Sequence, residues 1–171
     1  MQQAGVNASG ALDAAVSELQ PGSCSGISDM PDYDPRYLAG ILFFNDEDYF
    51  EAHEVWEDLW AESHGDERRF VQGLIQSAVG LFHFCGGNLG GAVKLYRTSR
   101  EYMRPCGSPF LGLDTDAFWA QMERCFRPLL ITAEPDRTLR PDPTLLPAIS
   151  LNPVPAAWPD PAEFVRDEDE S

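Results

Sequence analysis

Lysine is almost missing from this chain of 171 residues: the twelve cations are arginine apart from Lys94. Against them stand 28 aspartates and glutamates, for a formal charge of −16. A field of that sign repels phosphate backbones, so nucleic acid and anionic membranes are excluded as expected partners. Two readings account for the acidity. One is a salt-rich cytoplasm, where dense carboxylates keep the surface hydrated and their repulsion is screened. The other is an ordinary acidic protein with an acidic tail. The shortage of lysine favours the first. Long apolar runs are also missing, as is a basic N-terminal region followed by a hydrophobic stretch. The expectation is therefore a soluble, unexported, cytoplasmic protein. Cys24, Cys85, Cys106 and Cys125 form no CxxC pair, which argues for free thiols over a disulfide framework or a four-cysteine zinc site.

Strand-like alternation is absent as well, and helical signals take its place. With 43% hydrophobic and 11% aromatic residues the chain can bury a core. Asp34-Pro35 reads as a cap and first residue of a helix through Tyr37, Leu38, Ile41 and Leu42. Asn45 or Asp46 caps a second, reaching about Ser63, and His64-Gly65 ends it. A third runs from about Glu67 to Cys85, with Asp66 as its cap and Gly86-Gly87 as its stop. A fourth follows Asn88 to about Arg104, and a fifth spans about Thr115 to Leu130. The predicted fold is all-α, a single bundle of about four to five helices with an extended proline-rich C-terminal strap. Residues 1–30 read as an N-terminal arm in which Ala11 to Leu19 could form a short helix. Residues 31–133 read as the bundle, and 134–171 as strap and acidic tail. The strap's recurrent prolines favour extended chain, and its apolar residues suit a segment lying across the bundle or a neighbouring subunit.

The second predicted helix carries the chemistry. At about 100° per residue, Tyr49, Trp60, His53, Glu57 and Phe50 share one arc, with Glu54 on its margin. His53 and Glu57 are an i, i+4 pair. The third helix aligns Gln72, Gln76, Val79 and His83, beside an apolar face of Leu74, Ala78, Leu81, Phe82 and Cys85. Packed antiparallel through a short turn, the two stripes would face each other, with Gly73 and Gly80 permitting close approach.

Three readings compete. Glutamine amides and histidine nitrogens can satisfy carboxylates in a purely structural network. His and carboxylate at i, i+4 also suit a divalent metal such as Zn, Fe or Mn, with His53, Glu57 and His83 as ligands. This HExxE pattern departs from the zinc-protease HExxH by Glu57 in place of the second histidine. Acid–base chemistry without metal, on Glu54 or Glu57 with His53 or His83, is the third. His64, beside a glycine at a helix end, reads as an exposed cap. Trp119 and Trp158 read as core and strap anchors.

Several motifs occur in order: Phe44-Asn45, Tyr49 to Glu57 with Trp60, Phe70 to Gln76, His83, and Gly87-Asn88 with Gly90-Gly91-Ala92. Together they resemble domain-of-unknown-function family 309 over about residues 36–104. The resemblance implies a small helical bundle, usually cytosolic, in prokaryotic and plastid proteins, and it leaves the reaction open. The functional expectation is a small-molecule or metal-binding bundle with hydrolysis as its candidate chemistry. Its pocket would lie between helices two and three, lined by His53, Glu54, Glu57, Trp60, Gln72, Gln76 and His83. The alternative is a non-catalytic protein whose polar network only sets helix packing. An unknown small ligand and a homodimer through the strap are the partners expected.

Overall fold

The computed structural model describes residues 32–167. The predicted helix at Ala11 to Leu19, the arm that contains it, Cys24 and the last four residues lie outside the described residues. From Tyr33 to Asp167 the chain forms one compact unit. Five α-helices build it: α1 (Pro35–Asn45), α2 (Tyr49–Glu62), α3 (Gly65–Gly86), α4 (Leu89–Met103) and α5 (Thr115–Leu130). No strand occurs among the described residues, so the all-α prediction holds.

The helix boundaries follow local chemistry. Asp34 Oδ1 accepts from the Arg36 amide at 2.9 Å, and Pro35 occupies the first helical position. Asn88 and Asp114 cap α4 and α5 in the same way, and Asp48 caps α2 in place of the expected Asn45 or Asp46, which close α1 instead. Gly87, at φ 88°, closes α3 in the left-handed conformation. That helix begins two residues before the expected start, at Gly65, and His64 is its exposed N-cap residue without a side-chain cap bond.

Consecutive helices pack as antiparallel neighbours. Trp60 near the end of α2 meets Arg68 near the start of α3, with the guanidinium carbon 3.8 Å from the ring centroid. At the other end Phe50 meets Phe82, centroids 6.1 Å apart. Trp56 is fully buried and donates from Nε1 to the Tyr37 carbonyl at 3.2 Å. The core continues through Phe44, Phe70, Leu74, Phe84, Phe118, Met122 and Phe126. Gly40 is what lets α1 approach this tryptophan, since a Cβ there would lie 2.0 Å from Trp56 Nε1.

Three details of the expected packing differ. Gly73 and Gly80 face α4 rather than α2: a Cβ on Gly73 would meet Met103 at 2.2 Å, and one on Gly80 would meet Leu95 at 3.4 Å. Phe82 and Cys85, placed on the apolar face by periodicity, are exposed, because α3 is covered by α2 and α4 over only part of its circumference. Trp158 is 41% exposed, and the strap is anchored instead by buried Ile149 and Leu151.

The strap lies across the helices of its own chain. Asn45 on α1 clasps the backbone of Ile149, donating to its carbonyl at 2.8 Å and accepting from its amide at 2.7 Å. Gln121 on α5 makes the same double contact with Ala148. Leu113 and Leu151 form an isolated bridge, and Tyr33 donates to the Pro153 carbonyl at 2.8 Å. Beyond it, the short turn Pro161–Phe164 returns to α1. No described helix is long and apolar enough to cross a membrane.

Candidate functional site

His53, Glu54 and Glu57 come together on α2, with one ligand atom from each lying within 4.8 Å of the others. Helical spacing alone accounts for the pairing of His53 with Glu57. What holds the imidazole is its own helix: Nδ1 lies 2.9 Å from the Phe50 carbonyl. A carbonyl can only accept, so Nδ1 carries the hydrogen. Nε2 then points outward, 3.4 Å from Glu54 Oε1 and 3.4 Å from Glu57 Oε1. A neutral ring in this tautomer aims a lone pair at two carboxylate oxygens. A positive centre between them, either a proton on Nε2 or a cation, would match that arrangement.

The three side chains sit at a boundary. His53 and Glu54 are partly buried, at 18% and 25% side-chain exposure, while Glu57 at 49% opens to solvent. Phe50 and Phe82, 50% and 48% exposed, form an apolar lip beside the imidazole, with the Phe50 ring 5.3 Å from it.

The strap also contributes. Arg166 donates from Nη1 to Glu54 Oε2 at 3.3 Å, and from Nη2 to Asp58. No local pattern signals this contact, because helical periodicity relates only residues on the same helix. The lone cation in an otherwise acidic C-terminal tail is the one hint the sequence carries.

The remaining predicted site residues are distributed along the α2–α3 seam. Trp60 stacks under Arg68 at the turn end. His83 lies at the other end, its Nδ1 3.4 Å from Asn88 Nδ2, and is not a member of the three-residue group. The register set by the Trp60–Arg68 and Phe50–Phe82 pairs puts His53 and Glu57 at the level of Gln76 and its neighbouring turns. Both glutamines are half-buried, and Gln76 Oε1 is buried without a hydrogen-bond partner among the described residues. An unpaired buried amide oxygen costs about 1–3 kcal/mol, so a guest that donates to it, or a cation, would be favoured there.

Among the described residues the cysteines are not part of the three-residue group. Cys85, Cys106 and Cys125 are free, and burial pushes the Cys125 thiol up to about 12. Burial likewise raises Tyr49, whose hydroxyl has no hydrogen-bond partner among the described residues.

The stretch that holds this seam is similar to known proteins. The family described as "Domain of unknown function (DUF309)" matches residues 37–95. The uncharacterized protein YpuF of Bacillus subtilis (strain 168) is 38% identical over 69 residues, which is 39% of this chain and 40% of that protein. An uncharacterized protein of Aquifex aeolicus (strain VF5) is 27% identical over 81 residues, 47% of this chain and 24% of that protein. The chain thus spans well under half the length of these curated relatives. A conserved hypothetical protein from Thermus thermophilus, solved by crystallography, is 28% identical with a TM-score of 0.46, covering 50% of this chain and 88% of that one. The family resemblance read from the motifs is borne out: residues 37–95 match DUF309, whose description assigns no function.

Proposed function

We propose that the bundle holds a divalent metal ion on His53 Nε2, Glu54 and Glu57. The observation that carries this reading is the imidazole whose Nδ1 is committed to the Phe50 carbonyl while its Nε2 faces two carboxylates. One nitrogen and two oxygens suit Zn, Fe(II) or Mn. With metal–ligand bonds of about 2.1 Å, each of the two 3.4 Å separations from Nε2 to a carboxylate oxygen subtends about 108°, while the two carboxylates need only swing within the 4.8 Å span of the group to meet the same ion. Three protein ligands leave a coordination position open, and the exposure of Glu57 turns it toward solvent. An ion so held supplies a polarised water or a Lewis-acid contact for a small substrate, which makes hydrolysis the reaction class to test. Gln72, Gln76, His83 and Trp60 complete the proposed wall along the α2–α3 seam.

The direct test is titration with Co²⁺, whose tetrahedral complexes absorb strongly in the visible. The reading expects saturable bands at one equivalent that are lost in His53→Ala and weakened in Glu57→Gln. If the bands never appear, the rival reading takes over: Nε2 carries a proton and the cluster only sets the packing of α2.

We further infer that the acidic surface is an adaptation to a salt-rich cytoplasm. Its support is the charge of −16 with a single lysine. Neither nucleic acid nor an anionic membrane suits that field. A homodimer would use the outward face of the strap, where Val154 and Trp158 are exposed.

A further inference from the structure

A third of the cations in this acidic chain, Lys94, Arg97, Arg100 and Arg104, fall within one stretch of α4 and the short turn after it. Arg97, Arg100 and Arg104 recur three and four residues apart, so they share a helix face. That face looks toward α5, which packs far less closely on α4 than α3 does. The gap is a groove with a cavity of ≈ 290 Å³ at one end and one of ≈ 390 Å³ at the other, and Arg100 and Arg104 line both.

The floor of the smaller end is Met103 and Trp119, both buried. Trp119 is only 8% exposed, yet its indole N–H has no acceptor among the described residues. A buried donor left unpaired costs about 1–3 kcal/mol, which a guest with an acceptor oxygen would recover. Arg100 is in a similar position. Its guanidinium donates to the Tyr96 hydroxyl at 3.3 Å and lies 6.0 Å from the Trp119 ring, with no carboxylate at ion-pair distance among the described residues. Arg36 and Arg166, by contrast, each hold carboxylates, and Arg104 is engaged by Glu101 at 2.9 Å.

The groove also carries Glu101, Glu123 and Asp116. Those carboxylates offset the arginines and disfavour a polyanion, leaving a site for one compact anionic group. The smaller cavity lies at the lower end of the usual range for ligand pockets. We propose that the α4–α5 groove binds a small organic acid, its single oxyanion held by Arg100 and the Trp119 indole N–H, its body against Met103 and the Trp119 ring. The oxyanion is a carboxylate or a phosphate, since a guanidinium fork and one N–H donor serve either. This site is separate from the His53 cluster and does not depend on metal there.

The indole N–H signals in a ¹H–¹⁵N spectrum of the full chain test it directly. The Trp119 signal is assigned from Trp119→Phe, and benzoate and phenyl phosphate are titrated at constant ionic strength against chloride. The proposal expects a saturable shift of the Trp119 signal with one of the two acids, whichever carries the preferred oxyanion. Arg100→Gln should weaken that binding roughly tenfold, as expected for losing a charge-assisted fork, while Arg100→Lys weakens it less. The other indole signals report whether each variant remains folded. A Trp119 signal unmoved by either acid, or binding unchanged in a folded Arg100→Gln, would overturn it.

Discussion

Arg166 reaches 112 residues back along the chain to hold Glu54 Oε2 at 3.3 Å, while Glu54 Oε1 faces the imidazole of His53 at 3.4 Å. One carboxylate is therefore shared between the strap and the proposed metal site. A guanidinium against a ligand carboxylate subtracts from the attraction it offers a cation, by about 1 kcal/mol per unit charge at contact in water. For a divalent ion that is about 2 kcal/mol at most, so Arg166→Ala should tighten metal binding by up to roughly thirtyfold. Both of its ion pairs are largely exposed, so the melting temperature should hardly move. Weaker binding in this variant would mean that Arg166 orients Glu54 rather than competing for it.

The approach of α1 to α2 is a separate, purely steric prediction. Gly40→Ala puts a methyl 2.0 Å from Trp56 Nε1 and displaces the indole from the Tyr37 carbonyl. A loss of roughly 1–3 kcal/mol is expected from overpacking and the broken buried bond. Gly86→Ala, where nothing lies within 4 Å of the added carbon, serves as the control and should change stability little. Urea denaturation of the two variants compares them directly.

Acid should reach Asp34 later than an ordinary carboxylate. Its hydrogen bond to the Arg36 side chain, with help from the Arg36 amide and charge, holds the carboxyl below the usual carboxylate range. A depressed folded value means stability that is present above the unfolded pKa and lost as pH falls through the folded one. Asp34→Asn keeps an acceptor at the cap but removes the titration. Its melting temperature should lie below that of the parent at neutral pH, and the gap should narrow once pH falls below the unfolded value of about 3.9, closing only as pH passes below the depressed folded one. A gap that stays constant with pH would contradict the assignment.

Salt tests the reading of the surface. If the 28 carboxylates serve a salt-rich cytoplasm, dilution from molar salt to about 0.1 M lengthens the screening distance and should unfold the protein. Circular dichroism across that range decides it, and a fold fully stable in dilute buffer would contradict the adaptation.

Much of the architecture was legible because its determinants are local. Asp34-Pro35, Asn88 and Gly87 punctuate helices through bonds within a few residues, and the observed ends fall where those residues predict them. Direction was harder. Gly73 and Gly80 announced a close approach, but which helix approaches depends on tertiary arrangement, and the partner is α4. Phe82 has the spacing of a core residue yet lies on the uncovered side of α3. In the candidate site, His53, Glu54 and Glu57 were readable from i, i+1 and i+4 spacing. Neither the commitment of Nδ1 to the Phe50 carbonyl nor the hold of Arg166 follows from spacing, since one depends on a rotamer and the other on the path of the strap.

The proposed chemistry turns on a cation between His53 Nε2 and the two carboxylates. Elemental analysis of untagged protein, purified without metal-affinity steps and compared with Glu57→Gln, tests it most directly. The parent should carry close to one equivalent of Zn, Fe or Mn and the variant little. A parent protein that is folded and free of metal, and that takes up none when Zn²⁺, Fe²⁺ or Mn²⁺ is supplied, would contradict it.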